Sequence, residues 1–179
     1  GREVGEKLAR KLGIPCYDKL LIKKAALESG LSTDFISKTE ESPINSIQFL
    51  SGNPYADIAS IGNTFYSESQ VTFNAEKEVI EKIAKQGPCV IIGRCADYVL
   101  REQPGVTSVF IYADMSVRIA CLMERRRITR DEAITLIKKT DKSRRNYYEC
   151  YTGKRWGAGA SYDVTLNSAE LGLRSEERR

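Results

Sequence analysis

Arg94 follows directly on a glycine, Gly93, and on the unbroken apolar run Cys89, Val90, Ile91 and Ile92. Such a run reads as a strand buried on both faces of a parallel sheet, and its carboxyl end is where open α/β folds bind ligands. A cation at that edge suits an anionic ligand. The alternative is an arginine paired with Asp97 or Asp114, which would still stand beside the ligand crevice. The opening string Gly1-Arg2-Glu3-Val4-Gly5 sets a glycine ahead of a helix. Helix N-termini present unpaired N–H groups and the positive end of the helix dipole, which is a phosphate-binding arrangement when a glycine turn precedes them. No G-x-x-x-x-G-K-[ST] loop occurs anywhere in the chain.

A third set of candidates lies between Arg118 and Arg155, where twelve basic residues stand against five acidic ones, a net +7 in a chain whose total is +4. Charge of that density repels itself and favours an anionic partner, the plain alternative being a solvated helix surface. Within it, Asp141 and Arg145 are spaced i,i+4, and Lys138 lies two turns from Arg145 on the same helical face. A row of cations there could meet phosphate oxygens while Asp141 orients one of them. Tyr147, Tyr148 and Tyr151 with Trp156 admit another use, a stacking platform beside a basic groove for single-stranded nucleic acid.

What the chain lacks narrows the chemistry further. It has no histidine, which excludes Ser–His and Cys–His catalysis, HExxH metalloproteases and imidazole acid–base work together. Its five cysteines, Cys16, Cys89, Cys95, Cys121 and Cys150, form no C-x-x-C pair. Several sit in apolar runs, so packed thiols in a reducing, cytoplasmic compartment are expected rather than nucleophiles. No apolar run approaches the roughly 20 residues of a membrane span, and 179 residues with 41% hydrophobic content suit one domain.

These side chains need elements to hold them. The apolar spacing of Val4, Leu8 and Leu12 with Gly13 behind it predicts a helix over 2–12, and Ile14–Tyr17 a short strand. Asp18 is placed to cap a helix over 19–29. Residues 30–70 are rich in Ser, Asn, Gly and Pro and read as a mobile insertion, after which Val79, Ile80 and Ile83 predict a helix over 71–85. Strands are expected at 89–92, 108–112 and 162–166. The first two of these are separated by a short stretch around Arg94, and helices follow Asp114 and the capping box Thr129-Arg130-Asp131-Glu132. Strands alternating with helices give an α/β fold, a parallel sheet with flanking helices.

Taken in order, the strings GREVGEKLA, IPCYDKLLI, VIIGRCADYVL, DKSRRNYYECYTGKRWG and YDVTLNS resemble the cytidylate kinase-like family of P-loop nucleoside monophosphate kinases, over nearly the whole chain. The resemblance implies a single kinase-like domain over 1–179 with an acceptor-binding insertion (30–70) and a helical lid (125–156). The activity implied is phosphoryl transfer from ATP, with Mg²⁺, to a nucleoside monophosphate, with CMP or dCMP the expected acceptor. Gly1, Arg2 and Glu3 would then end the phosphate loop, with Arg125 and Arg126 also on the ATP phosphates. Asp18 and Lys19 would lie beside the acceptor, and Arg94 would grip its phosphate. Asp141, Arg144 and Arg145 would act from the lid. The implied partners are small-molecule nucleotides, with neither membrane nor nucleic acid. Family members have a strand and glycine-rich turn ahead of the GRE string, so strands 14–17, 89–92 and 108–112 are not expected to form a continuous sheet without it. Because Arg-Glu stands where ordinary P-loops have Lys-[ST], the resemblance assigns no metal ligand. Other outcomes for such a chain are a catalytically silent nucleotide binder and a nucleic-acid-binding module using residues 118–155.

Overall fold

Helix α1 (Arg2–Leu12) ends at Gly13, whose left-handed backbone, φ 66°, turns its N–H back to the carbonyls of Ala9 and Arg10. In the computed structural model, which describes residues 1–28 and 58–170, α1 buries Gly5 and Ala9 rather than the leucine row. Leu8 and Leu12 are exposed. The reason is close approach: a Cβ added at Gly5 would stand 3.1 Å from Ile92 Cδ1 and 3.4 Å from Val90 Cγ1. A side chain here would press on Ile92 and Val90, so glycine lets the helix lie this near the strand behind it. Gly5→Val is therefore expected to wedge α1 off that strand and cost about 1–3 kcal/mol; a urea denaturation midpoint unchanged from wild type would contradict this.

Strand β1 (Cys16–Tyr17) runs parallel to β2 (Val90–Ile91), with Cys16 opposite Val90 and Tyr17 opposite Ile91. Flanking bonds from Val90 N–H to Pro15 O and from Ile92 N–H to Tyr17 O extend the pairing by a residue at each end. Asp18 then caps α2 (Lys19–Glu28): its Oδ1 accepts from the N–H groups of Leu20 and Leu21 at 3.0 and 3.1 Å. The next described element, α3 (Ile58–Gln86), begins well before the expected Val71. Gly62, Asn63 and several serines disguise this stretch as loop, although Ile58, Ile61 and Phe65 keep a helical spacing. Residues 29–57, the larger part of the expected acceptor-binding insertion, lie outside the described residues, as do 171–179.

A short helix α4 (Ala96–Val99) follows β2, and β3 (Val109–Tyr112) pairs in parallel with β4 (Val164–Asn167). The start of that pair is clasped by Asp163, whose Oδ2 accepts from both the N–H and the hydroxyl of Ser108 at 2.7 Å. These bonds favour the carboxylate and hold its pKa below the usual value. A carboxyl depressed in the folded state stabilises above its unfolded pKa and stops doing so as pH falls through the folded one. Acidification below the ordinary carboxylate range is therefore expected to lower Tm more in the wild type than in Asp163→Asn.

Between the two members of this pair run α5 (Met115–Arg126) and α6 (Arg130–Thr152), the latter opened by the expected capping box. Ile119 packs on Ala133 and Ile137, which joins α5 to α6. The main core gathers Ile22, Val79, Ile80, Ile83, Ala96 and Leu100 from α2, α3 and α4. The architecture is mixed α/β with small parallel sheets and flanking helices, but the described strands form two separate two-stranded sheets rather than one. β2 is not paired with β3, and both strands line one cavity. Among the described residues no helix is long and apolar enough to cross a membrane.

Candidate active site

The cavity between β2 and β3 has a volume of about 1050 Å³, and Gly1, Arg2, Asp18, Lys19, Arg94 and Arg144 all contribute to its wall. Six of the residues singled out in the sequence thus meet in one place, brought there by the N-terminus of α1, the β1–α2 junction, the carboxyl end of β2 and the middle of α6. Arg2 bridges two of these elements: it pairs with Glu6 on its own helix at 2.8 Å and with Asp18 Oδ2 at 2.8 Å. Asp18 is accordingly both a cap for α2 and a fixed point for the N-terminus of α1.

Arg94 is held in an unusual turn. Gly93, Arg94 and Cys95 have φ of 75°, 56° and 55°, three successive left-handed residues. Glycine adopts this freely, but each L side chain costs about 1–2 kcal/mol there, so surrounding contacts must impose it. Ala96 N–H closes the turn on Gly93 O at 3.1 Å. Cys95 is 3% exposed in a cluster with Phe73 and Tyr148, and burial pushes its thiol well above the ordinary range, which makes it a packing group as expected. Arg94 itself is 9% exposed. Its Nε lies 3.4 Å from Glu76 Oε1, and its guanidinium carbon sits 5.1 Å from the centre of the Tyr147 ring.

Glu76 was not among the residues that the sequence singled out. A signal was available: Phe73, Glu76, Val79, Ile80 and Ile83 fall at helical spacing, so one carboxylate interrupts a buried apolar stripe. The pairing alternatives weighed for Arg94 involved acids on the same sheet edge. Of these, Asp97 accepts a hydrogen bond from the Tyr148 hydroxyl at 2.7 Å, and Asp114 stands at the N-cap of α5.

Other candidates are distributed differently from the expectation. Asp141 binds Arg118 through two bonds of 2.7 Å each, tying α6 to α5, so it orients a cation of the neighbouring helix rather than Arg145. Glu3 is engaged by Arg125 at the far end of α5 and by Lys7. Arg126 is exposed in the last turn of the same helix. Arg145, one residue from Arg144 and so turned to another side of α6, lines a smaller pocket of about 580 Å³ with Glu149, Lys154, Arg155 and Trp156, the last of which also borders the larger cavity.

The tyrosines pack among themselves and on neighbouring rings, and Tyr147, Tyr148 and Trp156 also border the cavity. Tyr151 stacks on Phe73 at 4.2 Å, Tyr147 meets Tyr151 edge-on at 4.8 Å, and Trp156 meets Phe110 edge-on at 5.6 Å. Tyr148 is buried, and burial pushes the hydroxyls of Tyr147 and Tyr148 well above their ordinary range, so both remain protonated donors. As for a metal, no group of three acidic or thiol ligands occurs among the described residues. The carboxylates on the cavity wall, Asp18 and Asp97, are already engaged by Arg2 and by Tyr148. The described side chains therefore do not by themselves fit a Mg²⁺ cage.

Residues 1–170 match the cytidylate kinase-like family. A comparison with curated proteins finds no match. Among solved structures, the chain is similar to an uncharacterized protein from Eubacterium ventriosum ATCC 27560, with a TM-score of 0.67 and 25% identity, over 94% of this chain and 80% of that one.

Proposed function

The chain belongs to the cytidylate kinase-like family, and we propose that it transfers the terminal phosphoryl group of ATP to a pyrimidine nucleoside monophosphate, CMP or dCMP. The observation that carries this reading is Arg94, a buried guanidinium in a left-handed turn at the end of β2, on the wall of a cavity that also gathers Arg2, Lys19 and Arg144. A cation fixed in that way suits a phosphate dianion, which it can take through a planar fork of N–H donors.

In this reading Arg94 grips the acceptor phosphate while Asp18 and Lys19 flank the acceptor. Gly1, Arg2 and the first N–H groups of α1 face the donor phosphates, and Arg144 approaches from α6. An oxygen of the acceptor phosphate attacks the terminal phosphorus of ATP, the bond to the bridging oxygen breaks, and ADP leaves with the electron pair. Such a transfer needs no covalent nucleophile and no histidine, because positioning and charge stabilisation supply the acceleration. Mg²⁺ belongs to the reading as the ion that accompanies nucleotide phosphates and neutralises their charge.

The lid of this reading, residues 125–156, comprises the end of α5 and the whole of α6. Tyr148 and Thr152 are buried toward the end of α6, which roots that end in the core, while the Arg118–Asp141 pair ties the middle of α6 to α5. A coupled assay of ADP formation with CMP, dCMP, UMP, AMP and GMP as acceptors tests the proposal. Turnover is expected with CMP or dCMP at the highest kcat/KM. No turnover with any acceptor would overturn it, and nucleotide binding without turnover would mark a silent relative.

A further inference from the structure

We propose that Glu76 is the positioning residue of the acceptor-phosphate site: its carboxylate and the Tyr147 ring together fix the Arg94 side chain in the direction in which it meets phosphate. The proposal rests on the reading of Arg94 given above. Glu76 lies on α3, 1% exposed, with Phe73, Val79 and Ile80 buried beside it and the buried Thr72 one turn before. Stability alone does not account for a carboxylate there, because an apolar residue of similar size could fill the space without the cost of removing a charge from water.

The geometry gives it a task. One carboxylate oxygen, Oε1, stands 3.4 Å from Arg94 Nε, and the other, Oε2, accepts a hydrogen bond from the Tyr147 hydroxyl at 2.8 Å. The Tyr147 ring lies under the guanidinium, 5.1 Å from centre to carbon. Carboxylate, guanidinium and phenol thus close a triangle that joins α3, the turn after β2, and α6. Arginine is a long side chain with several free torsions, and ordering it at the moment of binding would be charged against affinity. Glu76 and Tyr147 order it beforehand. The burial that keeps the Tyr147 hydroxyl protonated keeps it a donor to the carboxylate over the whole working range of pH.

Glu76→Gln retains the shape and one acceptor while removing the charge. Steady-state kinetics with the preferred monophosphate and with ATP varied in turn should then show kcat/KM for the monophosphate lower by about 10–100-fold, with KM for ATP within about twofold of wild type. Tyr147→Phe, which removes only the hydroxyl bond, should show the same selective loss at about 2–5-fold, and it decides the question if Glu76→Gln does not fold. Equal losses toward both substrates, or an unchanged monophosphate kcat/KM in an active enzyme, would overturn the role of Glu76 alone. A wild-type protein inactive toward every monophosphate would overturn the kinase reading and this inference with it.

Discussion

Arg94→Ala is expected to lower kcat/KM for the nucleoside monophosphate by roughly 30- to 1000-fold, the equivalent of about 2–4 kcal/mol for a lost charge-assisted fork to a dianion. From the sequence, a strand-edge arginine would be removable with the fold nearly intact. The structure changes that expectation. Glu76 is 1% exposed and its Oε1 faces Arg94 Nε, so the truncation strands a carboxylate in the core, and breaking a buried pair from one side costs about 3–5 kcal/mol. A lower Tm in Arg94→Ala is thus expected together with the kinetic loss and does not by itself argue for a structural role. The double variant Arg94→Ala/Glu76→Gln separates the two effects: with both charges gone much of the stability should return, whereas the monophosphate kcat/KM should stay low. Recovery of both would show that Arg94 acts only through the fold.

What could be read in advance follows from how local the determining physics is. The cap at Asp18, the capping box at Thr129 and the helix stop at Gly13 are written in neighbouring residues, and each is present. The placement of Arg94 at a sheet edge needed only an apolar run followed by glycine. By contrast, α1 buries Gly5 and Ala9 because of how near β2 passes, a tertiary fact that a leucine row cannot report. The early start of α3 was hidden by weak helix formers that carry no breaker strong enough to stop it. Partners of charged residues were the least legible. Asp141 has Arg145 one turn away along its own helix, yet it bonds Arg118 of α5; Arg94 has acids close by in sequence, yet it faces Glu76 on α3. Long side chains choose among neighbours in space, and sequence distance says little about that choice. The aromatic residues near the end of α6 show the same limit, since their helical spacing fits a platform and a core equally well; in space Tyr151 packs on Phe73 and Trp156 on Phe110, while Tyr147 and Trp156 also border the cavity.

Arg144 and Arg145 are adjacent cations of one helix, and replacing both by glutamine is expected to abolish turnover while leaving monophosphate binding measurable, because the proposed reading gives the acceptor phosphate to Arg94 at the sheet edge rather than to a cation of α6. The structure divides that effect between them. Successive helical residues point about 100° apart, and here Arg144 lines the cavity shared with Gly1, Arg2 and Arg94, whereas Arg145 lines the smaller pocket with Glu149 and Lys154, which adjoins the first at Trp156. A cation in the first cavity can stabilise charge that develops on the transferring group, a contribution worth on the order of 100-fold or more in kcat. One in the second pocket acts chiefly through the field of the basic segment, which salt screens over about 8–10 Å. Arg144→Gln should therefore lose at least about 100-fold in kcat and Arg145→Gln less than about tenfold, and only the smaller loss should shrink further as ionic strength rises. Calorimetric titration with the monophosphate checks that acceptor affinity survives in both. If Arg145→Gln proved the more damaging of the two, the reacting phosphates would lie in the smaller pocket beside Glu149 and Lys154, and the assignment of the larger cavity to the transfer step would be wrong.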